Sequence, residues 1–318
     1  MIPAVIAAGV GVAGSLQLYA HFAGEHPVLD AAYDWRLRRM DLRRLDRAAS
    51  AAANRADLIV SLTTLPSRID RTTLTIKSLL NQTRAPCEIR MHVPHTSRRE
   101  QRPYAVPDWL ASLESVRVVR CDDYGPATKA IPALRTLHTH QRILVVDDDR
   151  VYQPWLVAQM AALADAHPDY AIAGSGWDAP ADLVDRPTRL VDTLLARAPA
   201  PIKCTRVSGI RDVDVMQGLS GYVVRPEFFD LDGLADYRTA PPAAFYVDDV
   251  WISAQCRARK VVAEGRRTNF PSLADARFFK RSSVALVNRG DGTPESRNNT
   301  IMLNYFRDRW RCRQTLNT

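Results

Sequence analysis

Apolar residues recur along the first half of the chain in short runs that alternate with longer stretches of helical spacing. Four short segments bounded by turn residues predict buried strands: Leu58–Leu62, Cys87–Val93, Val116–Val119 and Ile143–Val146. The longer stretches predict helices at Leu74–Leu80, Ala127–Leu137 and Tyr152–Ala166. Strands that alternate with helices predict an α/β fold, with a mostly parallel sheet and helices on both of its faces.

The pattern changes after residue 170, where proline and glycine become frequent as far as Pro201. Val213–Val224 predicts further strand around two glycines, and Val250–Lys260 predicts a helix. A last helix is expected near Ile301–Arg313. Since no repeat, low-complexity tract or strong linker interrupts residues 57–318, we predict that they form one domain.

The N-terminal segment differs in character from the rest. Residues 1–24 contain no charged side chain and are long enough to span a bilayer as a helix, yet Gln17, His21 and several small residues dilute their hydrophobicity. Arginines follow in residues 25–56, where Val28–Ala53 predicts a basic amphipathic helical linker. Two alternatives remain for residues 1–24, a membrane anchor or a packed N-terminal helix. By the positive-inside rule, an anchor would leave the bulk of the protein at the cytoplasmic face of the membrane.

Composition and charge narrow the class of protein. The 318 residues are 46% hydrophobic and 25% charged, which is ordinary for a globular protein and excludes a disordered one. The net charge of +8 comes from basic ends, which attract nucleic acid, anionic membranes or polyanionic substrates. No DNA or RNA motif accompanies them, so we expect no nucleic-acid partner and retain an anionic membrane surface. Five scattered cysteines without metal-ligand spacing predict reduced thiols in a cytoplasmic protein.

Three consecutive carboxylates, Asp147, Asp148 and Asp149, directly follow the fourth predicted strand. Ligands of open α/β sheets bind beyond the carboxyl ends of such strands. Adjacent like charges repel one another, and a hard divalent cation such as Mg²⁺ or Mn²⁺ relieves that repulsion and bridges to phosphates. The alternative is that the aspartates form a turn or cap the helix predicted from Tyr152. The run by itself leaves both interpretations open.

Four segments together resemble the GT-A fold glycosyltransferases, particularly the bacterial family-2-like enzymes. These segments are Ser61–Arg68, Asp122–Lys129, Asp147–Asp149 and Tyr246–Trp251. The aspartate run is similar to the D-x-D motif of the family, and the resemblance covers about residues 57–260. It implies a Rossmann-like nucleotide-binding half in residues 57–150. It also implies an acceptor half in residues 151–318, with a smaller mixed sheet and a basic tail.

The resemblance also implies roles for the aspartate run. A divalent cation neutralises the charge that develops on a departing nucleotide diphosphate. We expect Asp147 and Asp149 to bind Mn²⁺ or Mg²⁺, while Asp148 bonds the ribose or the sugar of the donor. Because no histidine follows His167, phosphate, water or a C-terminal Asn or Asp would complete the metal shell.

A second acidic motif, Asp248–Asp249, is similar to the acidic pair of the family, which is usually Glu-Asp. The second member of that pair is the general base, so the resemblance assigns this role to Asp249. The shorter side chain of Asp248 leaves its supporting role open. The structural alternative is a cap at the N-terminus of the helix predicted from Val250.

Other residues are expected to contact the donor. The resemblance places Thr63 and Arg68 near the nucleotide and Lys129 near a phosphate, and it places the segment with Gly218, Ser220 and Gly221 around the donor sugar. Arg68 and Lys129 are alternatively ordinary surface charges. The glycine segment is alternatively a bulged strand or a tight turn.

Together these features predict a metal-dependent, inverting glycosyltransferase. It would move a sugar from a nucleotide sugar, with a UDP-sugar expected, to a glycan or lipid-linked acceptor of the cell surface. A nucleotidyltransferase is the first alternative, although the loop Thr63–Arg68 lacks the glycine-rich signature of that class. A basic protein that binds membranes or nucleic acid is the second, and it leaves both acidic clusters unexplained.

Overall fold

The computed structural model describes residues 14–311. Its strands are, in chain order, β1 Arg55–Thr63, β2 Ala85–Pro94, β3 Thr96–Ser97, β4 Arg102–Pro103, β5 Val116–Cys121, β6 Ile143–Val145, β7 Arg150–Tyr152, β8 Tyr170–Ala173, β9 Ser175–Trp177, β10 Ile202–Lys203, β11 Ile210–Asp212, β12 Val215–Met216, β13 Tyr222–Val224, β14 Arg259–Ala263 and β15 Asn269–Pro271. Its helices are α1 (14–23), α2 Pro27–Arg39, α3 Leu42–Ser50, α4 Thr73–Leu80, α5 Asp108–Ala111, α6 Ile131–Thr136, α7 Leu156–Ala166, α8 Leu190–Leu194, α9 Leu231–Ala235, α10 Asp248–Gln255, α11 Ala276–Arg281, α12 Val284–Val287 and α13 Asn298–Tyr305.

The largest element is an eight-stranded sheet with the order β11-β14-β8-β13-β6-β1-β2-β5. Six of these strands run in one direction, while β13 and β11 run against their neighbours. The carboxyl ends of β6, β1, β2 and β5 therefore meet at one edge. The strand order confirms the predicted α/β fold with a mostly parallel sheet.

Strand β6 lies between two hydrophobic cores and contributes side chains to both. Ile143 and Val145 pack with residues of α6, α10 and α13, whereas Leu144 packs with residues of α4 and α7 on the opposite face. Side chains of a strand alternate between its two faces, so an uninterrupted apolar run fits a sheet that is covered on both sides. The prediction of helices on both faces is confirmed.

The smaller sheet differs from the predicted mixed one. Its order is β10-β9-β12, and it is antiparallel, because both outer strands run against β9. The predicted strand Val213–Val224 is also divided between two sheets. A 3-10 turn at Gly218–Ser220 separates β12 from β13, and Gly221 adopts φ +77°, a conformation that redirects the chain and favours glycine.

Several predicted helices have different bounds. The helix predicted at Val250–Lys260 is α10 and ends at Gln255, because the chain then extends into β14, whose side chains alternate between the two cores. The helix predicted from Tyr152 begins after Pro154, and the residues before it form β7. The segment predicted as one helix from Ala127 is a 3-10 turn followed by α6. The part of the last predicted helix beyond residue 311 lies outside the described residues.

The predicted basic helix Val28–Ala53 is two helices, α2 and α3. Met40 is extended, and the side chain of Asp41 caps α3 by accepting a hydrogen bond from the backbone N–H of Arg44. Of the uncharged segment 1–24, residues 1–13 lie outside the described part. Among residues 14–311, no helix is both long enough and apolar enough to cross a membrane.

Candidate functional site

A cleft with a volume of about 180 Å³ opens at the edge where β1 and β6 end. Eight residues predicted from the sequence line it: Thr63, Arg68, Lys129, Asp147, Asp148, Asp149, Asp248 and Asp249. They come from four separate segments of the chain. The fold brings these segments together at the edge of the sheet where β1 and β6 end.

The aspartate run leaves β6 and enters the cleft. It does not cap α7, whose N-cap is Trp155 and makes no side-chain cap hydrogen bond. Asp148 is buried, accepts a hydrogen bond from Thr64 Oγ1 at 2.6 Å and lies 3.3 Å from Arg68. Burial raises the pKa of Asp148, while Arg68 opposes that rise. The side chains of Asp147 and Asp149 are more open, at 27% and 31% exposure.

Lys129 joins the two acidic motifs through its ammonium group. Its Nζ lies 2.5 Å from Asp147 Oδ1, 2.6 Å from Asp248 Oδ2 and 3.7 Å from Asp249 Oδ1. Burial by itself would lower the pKa of Lys129, but the three carboxylates raise it well above its ordinary value. Lys129 is thus a buried, charged group and not the ordinary surface charge that the sequence left open.

Asp248 and Asp249 occupy the first turn of α10, where a helix terminus favours negative charge. The N-cap is Val247, and it makes no side-chain cap hydrogen bond, so the pair does not serve as the predicted cap. Asp249 Oδ1 accepts a hydrogen bond from the backbone N–H of Gly218 at 3.1 Å. Burial raises the pKa of Asp249 to about 8; Lys129 opposes this rise, and Asp248 and Asp147 add to it.

Arg68 provides the second buried cation. Its Nη2 lies 3.0 Å from Asp149 Oδ2, and its guanidinium stacks 4.6 Å from the ring centroid of Phe279 in α11. Burial lowers the pKa of Arg68, but Asp148 and Asp149 raise it further than burial lowers it. Arg99 also lines the cleft and donates to the backbone carbonyl of Ser282. Residues after β15 therefore form one wall of the cleft.

The predicted glycine segment does not line the cleft, but one end of it lies beside the charged cluster. A Cβ on Gly218 would lie 2.3 Å from Lys129 Nζ and 2.9 Å from Asp147 Oδ1, so this backbone passes directly beside the charged cluster. Ser220 is buried below it, and its Oγ accepts a hydrogen bond from Ser175. Gly221 packs against Leu144 of β6. None of Gly218, Ser220 and Gly221 is among the residues that line the cleft.

Sequence reasoning missed several cleft residues: Thr64, Leu65, Arg99, Tyr104, Asp123, Gly125, Pro126 and Ser283. Some of them lie inside motifs that were recognised, such as Gly125, which has φ +61° and whose Cβ would lie 2.2 Å from the carbonyl oxygen of Phe245. Arg99, Tyr104 and Ser283 belong to no recognisable motif. They reach the cleft through tertiary packing, as when Tyr104 donates its hydroxyl to the carbonyl of Thr64.

The charge balance of the cleft favours a cation. Six carboxylates and three basic side chains line it, which gives a formal excess of three negative charges. A proton on Asp249 would reduce this excess to two. An anionic phosphate ligand would be repelled from such a cleft unless a cation entered with it.

The donor set fits a divalent cation that is shared with a ligand. Asp147 Oδ2 and Asp149 Oδ1 accept no hydrogen bond from any residue in 14–311. The same part of the chain contains no group of three or more His, Cys, Asp or Glu side chains arranged to hold a metal ion. Mg²⁺ typically binds through one or two carboxylates, with waters and substrate phosphates completing its shell. Asp147 and Asp149 suit a site of this kind, in which the protein supplies only part of the metal shell.

Comparisons with known proteins give distant structural likenesses. No family model and no curated protein matches the chain. The crystal structure of S. aureus TarS 1-349 has a TM-score of 0.43 and 13% identity over 79% of this chain and 70% of that one. The crystal structure of S. aureus TarS has a TM-score of 0.42 and 14% identity over 79% of this chain and 42% of that one.

A third likeness is to the crystal structure of GalNAc-T7 with UDP, GalNAc and Mn²⁺. Its TM-score is 0.41, with 12% identity over 65% of this chain and 41% of that one. The chain thus spans less than half the length of two of these three structures. TarS and GalNAc-T7 are glycosyltransferases with GT-A-like folds. Structural similarity at this level is no evidence for a shared substrate or mechanism. Evidence for either must come from the cleft itself.

Proposed function

We propose that this protein is a metal-dependent glycosyltransferase that uses a nucleotide sugar. One observation carries the proposal: a single cleft unites Asp147 and Asp149 with Asp249, and Lys129 lies between the two acidic motifs. Sugar transfer from a nucleotide diphosphate requires charge neutralisation at the leaving group and a base for the acceptor hydroxyl. The cleft offers carboxylates for each task.

Asp147 and Asp149 would hold Mn²⁺ or Mg²⁺, and the cation would neutralise the charge that develops on the diphosphate. Asp148 positions Arg68 and Thr64 through its buried contacts, which supports the two open neighbours as ligands in preference to Asp148. Thr63 and Arg68 line the part of the cleft where the nucleotide would bind.

Asp249 takes the proton of the acceptor hydroxyl in this proposal. The N–H of Gly218 holds Oδ1, which fixes the carboxylate beside the cleft, and the raised pKa makes Asp249 a stronger base than an exposed aspartate. Asp248 positions Lys129 by its ion pair. A base that acts on the acceptor while the diphosphate leaves implies inversion at the anomeric carbon. A UDP-sugar donor and a glycan or lipid-linked acceptor at the cytoplasmic side of a membrane are the proposed substrates.

The test is nucleotide release from a panel of nucleotide sugars, measured with Mn²⁺, Mg²⁺ or a chelator. We expect turnover of at least one donor, loss of turnover with chelator, and recovery when the metal is restored. Asp149→Asn should abolish the metal response, while the matched exposed variant Asp230→Asn should behave as the wild type. Donors that are neither bound nor turned over under any metal condition would refute the proposal, and pyrophosphate formation from a nucleoside triphosphate would indicate a nucleotidyltransferase.

A further inference from the structure

Helix α2 buries two carboxylates beside Leu37 and exposes three large apolar side chains, whereas an ordinary surface helix exposes its charged residues and buries its apolar ones. Asp30 and Asp34 are 4% and 3% exposed, whereas Val28, Leu29 and Trp35 are 57%, 54% and 58% exposed. This part of the molecule does not contribute to the cleft. Its outward apolar face therefore requires an explanation of its own.

Ion pairs fix the orientation of α2. Asp30 Oδ1 accepts hydrogen bonds from Gln153 Nε2 at 2.8 Å and from Arg267 Nη1 at 2.5 Å. Asp34 Oδ2 accepts from Arg38 Nε at 2.5 Å. The Asp34 pair lies within α2, but rotating the helix to bury its apolar face would break the contacts of Asp30 with Gln153 and Arg267. That would leave buried charges without partners, which is costly. The apolar side chains are thus held outward by the packing of the opposite face.

The outward face also carries positive charge. Arg36 and Arg39 are exposed, and the guanidinium of Arg39 lies 3.7 Å from the ring centroid of Trp35. Within Pro27–Arg39, no exposed position is acidic. Helices that lie in a membrane interface typically carry tryptophan and arginine on and beside their apolar face. The aromatic rings enter the lipid, and the guanidinium groups reach the headgroups.

Exposed apolar side chains continue beside α2. Helix α1 exposes Leu18 and Tyr19. Arg206 stacks 4.8 Å from the ring centroid of Phe22, the residue near the end of α1, and donates to the backbone carbonyl of Leu194 in α8. Leu194 and its neighbour Leu195 are exposed too. Arg206 thus joins α1 to α8, and both of these helices expose apolar side chains.

We propose that the outward face of α2, formed by Val28, Leu29, Trp35, Arg36 and Arg39, docks on an anionic lipid bilayer. The arginines complement lipid phosphates, and residues 1–24, which contain no charged side chain, precede α2 in the sequence. A symmetric pairing of two such faces would place arginines of one copy against those of the other, which disfavours a second copy as the partner. The proposal does not depend on the reaction in the cleft.

The test is co-sedimentation of the full chain with vesicles of phosphatidylcholine alone or mixed with phosphatidylglycerol. We expect binding to the anionic vesicles, much weaker binding to phosphatidylcholine, and loss of binding as salt is added. The double variant Arg36→Gln/Arg39→Gln should weaken binding roughly thirtyfold, since each arginine near the surface contributes about a fivefold factor. Trp35→Ser should weaken it roughly tenfold through lost apolar contact.

Matched controls are Arg238→Gln and Tyr305→Ser, which alter an exposed arginine and an exposed aromatic residue elsewhere. Both should bind vesicles as the wild type does. Equal binding to neutral and anionic vesicles, or unchanged binding by the α2 variants, would overturn the proposal. A Trp35→Ser variant that converts a dimer to a monomer in sedimentation velocity, with no vesicle binding by the wild type, would assign the face to a second copy. Melting temperatures confirm folding, and donor hydrolysis without vesicles tests the cleft separately.

Discussion

Lys129 shows at the scale of one residue how the charges of the cleft depend on each other. Its side chain is 6% exposed and lies within 4 Å of three carboxylates. Removing one partner from a buried ion pair leaves uncompensated charge and costs about 3–5 kcal/mol. We expect Lys129→Met to lower the free energy of unfolding by about that amount, measured by urea denaturation at neutral pH.

The control for this measurement is Lys280→Met, which removes an exposed lysine of α11. It should change the free energy of unfolding by less than about 0.5 kcal/mol. If Lys129→Met were as stable as the wild type at neutral pH, the ammonium group would not balance the carboxylates. The loss should shrink in acid, because protonated carboxyl groups no longer need a counter-charge.

Asp249 gives a prediction for the pH dependence of transfer. A general base works in its ionised form, and the pKa of this carboxyl is raised to about 8 by burial. Below that pH the ionised fraction falls about tenfold per unit, so kcat/KM should rise with pH and level off above about 8. Asp249→Asn should lower transfer by roughly 10²–10⁴-fold and remove this slope. A slope retained in Asp249→Asn would assign the base to another residue.

Sequence motifs identified most charged residues of the cleft but not their contacts. The aspartate run, the Asp248–Asp249 pair, Lys129 and Arg68 all line it. The burial of Lys129 and Arg68 could not be foreseen, since lysine and arginine are usually exposed. Each is buried here because carboxylates distant in sequence pair with it, and sequence spacing does not report such partners.

At the scale of elements, two glycines in the turn between β12 and β13 have different roles. One affects the charged residues of the cleft, and the other affects the stability of the fold. Gly218 passes beside Lys129, whereas Gly221 has φ +77° and packs on β6. Gly218→Ala should displace the end of Lys129 and weaken metal-dependent nucleotide binding roughly tenfold. Gly221→Ala should instead lower stability by about 1–2 kcal/mol through backbone strain.

Isothermal titration with nucleotide and Mn²⁺ and urea denaturation measure the two effects separately. The two glycines act as controls for each other, because they lie three residues apart in one segment. If Gly218→Ala and Gly221→Ala lost binding and stability to a similar extent, the two glycines would not have the separate roles assigned to them.

Elements were predicted well where one periodicity held over the whole segment. The runs of β1 and β6 and the helix α4 lie where the pattern placed them. The prediction was wrong at the end of the helix Val250–Lys260, because α10 ends at Gln255 and the chain continues into β14. A short buried helix and a short buried strand have similar local composition, and pairing of β14 with β8 decides between them.

At the scale of the whole molecule, the acidic cleft contrasts with the net charge of +8. A diphosphate should therefore bind with a divalent cation and poorly without one. When nucleoside diphosphate and Mn²⁺ bind together at a ligand concentration 100-fold above the dissociation constant, the free energy of unfolding should rise by about 2.7 kcal/mol. The melting temperature should rise by roughly 5 °C. Nucleoside diphosphate alone, or Mn²⁺ alone, should give a much smaller shift.

Thermal unfolding with the metal, the nucleotide or both measures this coupling. Asp149→Asn should remove the joint shift, and Asp230→Asn should retain it. An equal shift from the nucleotide in the presence of chelator would show that Lys129 and Arg68 accept the phosphates without a cation.

The sequence by itself determined the alternation of strands and helices, and it placed two acidic motifs where such strands and helices begin or end. Local periodicity and composition are sufficient for that, because buried strands and amphipathic helices impose distinct spacings. Only the tertiary structure decided that Lys129 bridges the two motifs, that Asp148 is buried, and that α2 holds its apolar face outward. These properties depend on which side chains, distant in the sequence, are buried together. Unpaired charge is costly in such a low-dielectric environment, and a local sequence pattern does not show which distant residues are near each other.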